Sequence, residues 1–240
     1  MGPSGAPGST AERLKRSAAE RAGERVAPGM RIGLGTGSTV AHFLDVLGER
    51  VARGELPGLV GVPTSVRTAD RARELGIALA ELHEAAPLDL TVDGADEVDP
   101  GLDLVKGLGG ALLREKMVAQ ASAELVIMID DSKLVRRLGM RAPLPVEVTQ
   151  FGWQAHLGAL RDLGCDPVLR EGADGRPYLT DNGNYMLDCR FPEGMDNPGA
   201  VEAALHRRAG VVESGLFLGM ATAVIVAGAN GIQVLERGGA

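Results

Sequence analysis

Short β-rich runs alternate with helical patterns through roughly the first 140 residues. This alternation constrains the fold most, because parallel strands in one sheet must be joined by crossover segments, usually helices. The runs are Met30 to Leu34, Leu59 to Pro63, Ile77 to Leu82, Leu88 to Val92 and Leu125 to Ile129. After Gly37, the residues Val40, Phe43, Leu44, Leu47 and Val51 recur at helical spacing, with Ser38 as the expected N-cap. A helix from about Val66 is expected to stop at Gly76, where glycine tolerates the left-handed backbone of a helix end.

From Pro143 the rhythm changes. Pro145 to Thr149 reads as a strand, Phe151 to Leu163 as a helix closed by Gly164, and Pro167 to Glu171 as a strand. Tyr178 to Phe191 carries Asp181-Asn182-Gly183, a hairpin turn signal. A helix with Asn197 as N-cap and Pro198 at its first position precedes a strand over Val211 to Phe217. Strand, helix, strand, strand, helix, strand is the order of a ferredoxin-like split βαβ unit. The expected fold is therefore α/β: a Rossmann-like parallel-sheet domain over 1–141 and 218–240, with a smaller ferredoxin-like α+β domain over 142–217. Ala223 to Ala227 is expected to return to the first sheet.

The 240 residues are 45% hydrophobic and 24% charged, the profile of an ordinary globular chain. No apolar run approaches the ~20 residues of a membrane helix, so no membrane partner is expected. Residues 1–10 read as a flexible tail without a signal-peptide core, which makes the cytoplasm the expected compartment. Cys165 and Cys189 are too few for a disulfide scaffold and read as packing residues. A net charge of -7 argues against nucleic acid, which needs a clustered basic face, although a few lysines can still hold a small anion.

Gly33-Leu-Gly-Thr36-Gly37-Ser38-Thr39 lies where a strand turns into a helix, and such a turn offers free N–H groups and a positive helix end to a phosphate. A tight βα turn would have the same spacing. Ser38 stands where dinucleotide binding needs a third glycine, and the next strand ends in Pro63-Thr64-Ser65 without the required acid, so no nicotinamide cofactor is expected. Asp93 and Asp96 flank Gly94-Ala95 at the mouth of a buried strand. Either alone would read as a helix cap or turn former, but the pair points to a site. Lys106-Gly107-Leu108-Gly109-Gly110 follows, and then Glu115 near a helix start, where first-turn acids are also common. Lys133 follows the strand ending at Ile129. His42, His83, His156 and His206 are scattered on helical or loop patterns, so no metal site is expected.

In combination, Gly33 to Thr39, Asp93-Gly-Ala-Asp96, Lys106-Gly-x-Gly109, Arg114-Glu115-Lys116, Asp130-x-Ser-Lys133, Leu144-Pro-Val-Glu-Val148, Thr180-Asp-Asn-Gly-Asn184 and Gly215-Leu-Phe217 resemble ribose-5-phosphate isomerase of the A type. The match runs in family order from about Leu14 to the C-terminus. The resemblance implies a sugar-phosphate substrate, no metal or other cofactor, a place in the non-oxidative pentose phosphate pathway, and a homodimer or tetramer of dimers. It implies substrate binding by Thr36, Gly37, Ser38 and Thr39, by Asp93, Gly94, Ala95 and Asp96, by Lys106, Gly107, Leu108 and Gly109, and by Lys133 and Lys15. Glu115 is implied as proton acceptor, with Lys106 and Asp93 in the chemistry beside it. Leu108 interrupts the family's glycine run and would strain the loop if its φ were positive. Gly219-Met220-Ala221-Thr222 replaces a stretch where the family commonly shows an aspartate.

Two other classes fit less well. A sugar-phosphate sensor would need a DNA-binding module, and only one helical pattern, Ala11 to Arg25, precedes the first strand. Acyl-CoA transfer on a similar fold also uses a glutamate, but the Asp93–Asp96 and Asp130–Lys133 motifs favour the isomerase.

Overall fold

The structure is a computed structural model describing residues 9–238. The chain opens with α1 (Thr10–Gly23), β1 (Arg31–Leu34), α2 (Ser38–Ala52), β2 (Val60–Pro63), α3 (Val66–Glu74), β3 (Ala78–Leu79) and α4 (Leu82–Ala85). It continues through β4 (Leu90–Gly94), β5 (Glu97–Val98), β6 (Leu104–Val105), α5 (Leu112–Gln120) and β7 (Leu125–Asp130). Next come β8 (Leu144–Val148), α6 (His156–Asp162), β9 (Asp166–Leu169), β10 (Tyr185–Arg190), α7 (Pro198–His206) and β11 (Val211–Ser214). Strands β12 (Leu216–Phe217), β13 (Ala223–Gly228) and β14 (Gly231–Glu236) complete it.

A seven-stranded sheet runs in the order β14-β13-β7-β4-β1-β2-β3, parallel except for the β13–β14 edge. Alternate side chains of β7 feed two cores. Val126 and Met128 pack with Ile32, Leu34, Phe43 and Leu47, while Ile127 and Ile129 pack with Leu104, Phe217 and Val224. Each such residue removed from water contributes about 1.5–3 kcal/mol, which fixes the register of the central strands. The smaller sheet is antiparallel in the order β11-β8-β10-β9, the arrangement expected of a ferredoxin-like βαββαβ unit.

Several boundaries differ from the sequence reading. Ser9 caps α1 by accepting from the Glu12 N–H, so the helix takes in the end of the expected tail, and residues 1–8 of that tail lie outside the described residues. The cap of α2 is Gly37, at φ 134, rather than Ser38, which is the first helical residue. The Ile77 to Leu82 run forms only β3 before Leu82 starts α4. The Phe151 to Leu163 helix starts late, after a 3₁₀ turn over Trp153–Ala155. The Asp181-Asn182-Gly183 turn forms, but its first arm is only a Leu179–Tyr185 bridge, and β9 is the strand that pairs with β10. Val211 to Phe217 breaks at Gly215, where a Cβ would stand 2.0 Å from the Lys106 carbonyl oxygen. Only glycine lets the chain cross there from β8 to pair β12 with β6. The β14 edge was not anticipated.

The strand order reverses direction between β1 and β4. At such a switch point the segments leaving adjacent strands diverge to opposite faces and open a crevice at the carboxyl ends.

Candidate active site

The segments bordering that crevice carry the predicted motifs. Thr36 to Thr39 follow β1, Gly94 to Asp96 end β4, Lys106 to Gly109 follow β6, Lys133 follows β7, and Glu115 rises from the first turn of α5. One cavity is lined by Thr36, Gly37, Ser38, Thr39, Gly94, Ala95, Asp96, Lys106, Gly107, Gly109, Glu115 and Lys133. Three sequence candidates stand off this lining. Asp93 lies behind it, Leu108 turns outward at 42% exposure, and the Lys15 ammonium is held by Glu12 at 2.8 Å.

Asp93 organises the floor. Its Oδ1 accepts from the N–H groups of Thr36 (3.1 Å) and Gly94 (2.7 Å), and its Oδ2 lies 2.9 Å from the Lys106 ammonium. Gly35 is required here, since a Cβ on it would stand 2.1 Å from Asp93 Oδ1. The Lys106 Nζ also donates to the Gly94 carbonyl at 2.7 Å and stands 3.3 Å from Glu115 Oε2. Helix α5 turns Glu115 inward on the face that also buries Leu112, Val118 and Ala119.

Two buried carboxylates thus share one ammonium. Burial and the negative Asp93 push the Glu115 carboxyl up to about 8, against the pull of Lys106. Burial likewise raises Asp93. Burial works against the Lys106 charge, but Asp93 and Glu115 outweigh it and hold the ammonium protonated. Glu115 Oε2 makes no hydrogen bond, so its carboxyl group has the least support of the three. Such a group can take up a proton and give it back near neutral pH.

At the other end, no side chain caps α2, and its first-turn N–H groups and the Lys133 ammonium border the same cavity. This end suits a phosphate. The Leu108 question is settled by geometry: Gly107 (φ 106) and Gly110 (φ 82) take the positive angles, and Leu102 is the one non-glycine residue with positive φ among the described residues. Leu108 is unstrained, and its N–H donates to Asp96 Oδ2 at 3.0 Å. The Met220 to Thr222 departure lies away from the cavity: Gly219 N–H binds Asp103, and Thr222 Oγ1 donates to the Leu125 carbonyl.

Sequence reasoning missed a hydroxyl chain beneath the cradle. Thr36 donates to Ser65 (2.9 Å), Ser65 to Thr68 (3.0 Å) and Thr68 to the Gly35 carbonyl (2.8 Å), with Thr64 Oγ1 2.8 Å from Thr36 Oγ1. The Thr36 hydroxyl is therefore engaged within the protein. The available signal was the Thr64-Ser65 hydroxyl pair at the end of the second strand, which the sequence reading used only to note the missing dinucleotide acid.

The Rossmann-like sheet, the phosphate-type helix end and the two buried carboxylates on one ammonium define an acid–base enzyme site for a small phosphorylated ligand. The family model for ribose 5-phosphate isomerase A (phosphoriboisomerase A) matches residues 60–231. A ribose-5-phosphate isomerase A from Synechococcus sp. (strain JA-3-3Ab) is 51% identical over 229 residues, covering 95% of this chain and 99% of that one. Another, from Gloeobacter violaceus, is 56% identical over 223 residues, covering 92% and 95%. A solved D-ribose-5-phosphate isomerase in complex with phospho-erythronic acid superposes with a TM-score of 0.92 at 41% identity, covering 95% of this chain and all of that one. The enzyme from Methanocaldococcus jannaschii gives 0.89 at 38%, with the same coverage. The chain belongs to the ribose 5-phosphate isomerase A family.

Proposed function

We propose that this chain interconverts D-ribose 5-phosphate and D-ribulose 5-phosphate, within the non-oxidative pentose phosphate pathway. The observation that carries the reading is Glu115, buried against one shared ammonium at the carboxyl edge of the sheet with its carboxyl raised to about 8. Moving the carbonyl between C1 and C2 takes a proton from one carbon and returns it to the next. Glu115 removes the C2 proton from the open-chain aldose, leaving a cis-enediolate, and delivers it to C1, while the hydroxyl proton passes from O2 to O1. The Lys106 ammonium offsets the charge that develops on oxygen, because it is already in place when that charge appears. The α2 N-terminus and Lys133 hold the phosphate.

Asp93 is spent on Thr36, Gly94 and Lys106, so it acts by fixing Lys106, while Asp96 on the cavity wall takes the sugar hydroxyls and assists ring opening. The same reading carries two domains, 1–141 with 218–240 and 142–217, cytoplasmic residence, and a homodimer or tetramer of dimers. In support of the two domains, β8 to β11 form a sheet separate from β1 and β4. The test is chelator-treated protein incubated with ribose 5-phosphate and followed for ketose. Undiminished turnover is expected, whereas loss on chelation with recovery on adding a divalent ion would replace proton transfer by metal chemistry.

A further inference from the structure

The Lys106–Gly110 loop is gripped from outside by the small sheet. Arg170, just after β9, is paired in a fork with Asp188 of β10, with Nε to Oδ2 at 2.9 Å and Nη2 to Oδ1 at 2.5 Å. Its guanidinium lies over the Tyr178 ring, 5.7 Å from the centroid. The remaining nitrogen, Nη1, donates to two successive carbonyls of the loop, Gly107 at 3.2 Å and Leu108 at 3.1 Å. The Arg170 side chain is 12% exposed, so these bonds form largely out of water.

Peptide planarity gives this grip a consequence inside the cavity. In a trans peptide the carbonyl of one residue and the N–H of the next point in opposite directions. With the Gly107 carbonyl turned to Arg170, the Leu108 N–H must point away from it, and it does, donating to Asp96 on the cavity wall. The Leu108 carbonyl is turned the same way, so the Gly109 N–H points to the same side as Asp96. Gly109 lines the cavity, and among the described residues its N–H has no hydrogen-bond acceptor. Glycine at 107 and 110, with φ 106 and 82, permits this double turn.

We infer that Arg170 is a positioning residue that holds the Leu108–Gly109 peptide plane so that the Gly109 N–H, together with the Lys106 ammonium, faces the oxyanion of the enediolate. Asp188 and Tyr178 fix the guanidinium, and an arginine is needed because a lysine ammonium lacks the planar fork that can face Asp188 and two carbonyls together. The inference rests on the isomerase reading. An inactive wild-type protein would sink that reading, and the variants below are judged only against active wild type.

The test compares Arg170→Lys and Arg170→Ala with wild type. A preorganised oxyanion donor is worth about 10²-fold or more in kcat, and misaiming one should lower kcat about tenfold or more while KM stays within about threefold. Two probes separate aim from mere packing. Phospho-erythronic acid carries a carboxylate where the enediolate is negative, and ribitol 5-phosphate carries neutral hydroxyls there. Arg170→Lys should weaken the first about tenfold and leave the second unchanged, and guanidinium ion should restore part of the Arg170→Ala rate. Should Arg170→Ala fail to fold, Arg170→Lys, which keeps the charge beside Asp188, decides alone. Unchanged kcat, or equal weakening of both ligands, would overturn the inference.

Discussion

Glu97 and Glu115 are both withdrawn from solvent, at 0% and 3% exposure, but their surroundings are opposite. Glu97 accepts backbone N–H groups from Gly139, Arg141 and Ala142, so neutral donors spread its charge and it pins the turn that leads into β8. Glu115 has one ammonium, shared with Asp93, and an oxygen without a hydrogen bond. Burial alone does not make an acid reactive. Burial combined with a like-charged neighbour does, where only a shared ammonium opposes them, because both disfavour the ionised form.

Glu115→Gln is the harshest way to break this contrast. It should lower kcat by about 10²-fold or more, the scale of a lost general base, with KM within a few-fold. Exchange of the substrate C2 hydrogen with solvent deuterium should slow in parallel; near-wild-type exchange would return Glu115 to the role of a helix-start acid. Stability carries a second signature. Between about 4.5 and about 8 the folded chain keeps a proton on Glu115 that the unfolded chain releases, so the wild type loses stability as pH rises through that window. The melting advantage of Glu115→Gln should therefore widen from pH 5 to pH 8, and a constant gap would count against the raised carboxyl.

Glu97→Gln should show the reverse: a loss of about 1–3 kcal/mol in denaturant unfolding, because backbone donors lose their acceptor, with kcat of the folded protein unchanged. A normal melting curve with impaired kcat would erase the distinction between the two acids. Lys133→Ala should raise KM about tenfold, the loss of one charge on a phosphate, with kcat within a few-fold. A collapsed kcat at unchanged KM would move Lys133 into the chemistry. The smallest effect belongs to Leu108→Gly. The residue is unstrained, so restoring glycine relieves nothing and costs about 0.5–1 kcal/mol of chain entropy, with kcat/KM nearly unchanged. A large gain in kcat/KM would show a strained loop.

Much of this was legible in the sequence because it is local. The apolar runs that became β1, β4 and β7 announce a parallel sheet, and the Asp93–Asp96 pair and Gly33 to Thr39 loop sit at strand ends where the sheet must open. The parts that escaped depend on neighbours far along the chain. Arg170 meets Gly107 across 63 residues, and Thr36 meets Ser65 across 29. Gly215 interrupts a run that reads as one strand, because the Lys106 carbonyl occupies the space a side chain would need. Asp93 and Asp96 look equivalent in sequence. Only the fold shows that Asp93 is consumed by the floor while Asp96 faces the cavity.

The central claim is that burial and Asp93 poise the Glu115 carboxyl to hold and release a proton near neutral pH. The most direct measurement is a pH titration of the side-chain carboxyl carbons in protein labelled with ¹³C-glutamate, with Glu115→Gln identifying the resonance. The account predicts a midpoint near 8 for Glu115, moving down when Asp93 is replaced by Asn. A midpoint near 4.5, unmoved in Asp93→Asn, would contradict it.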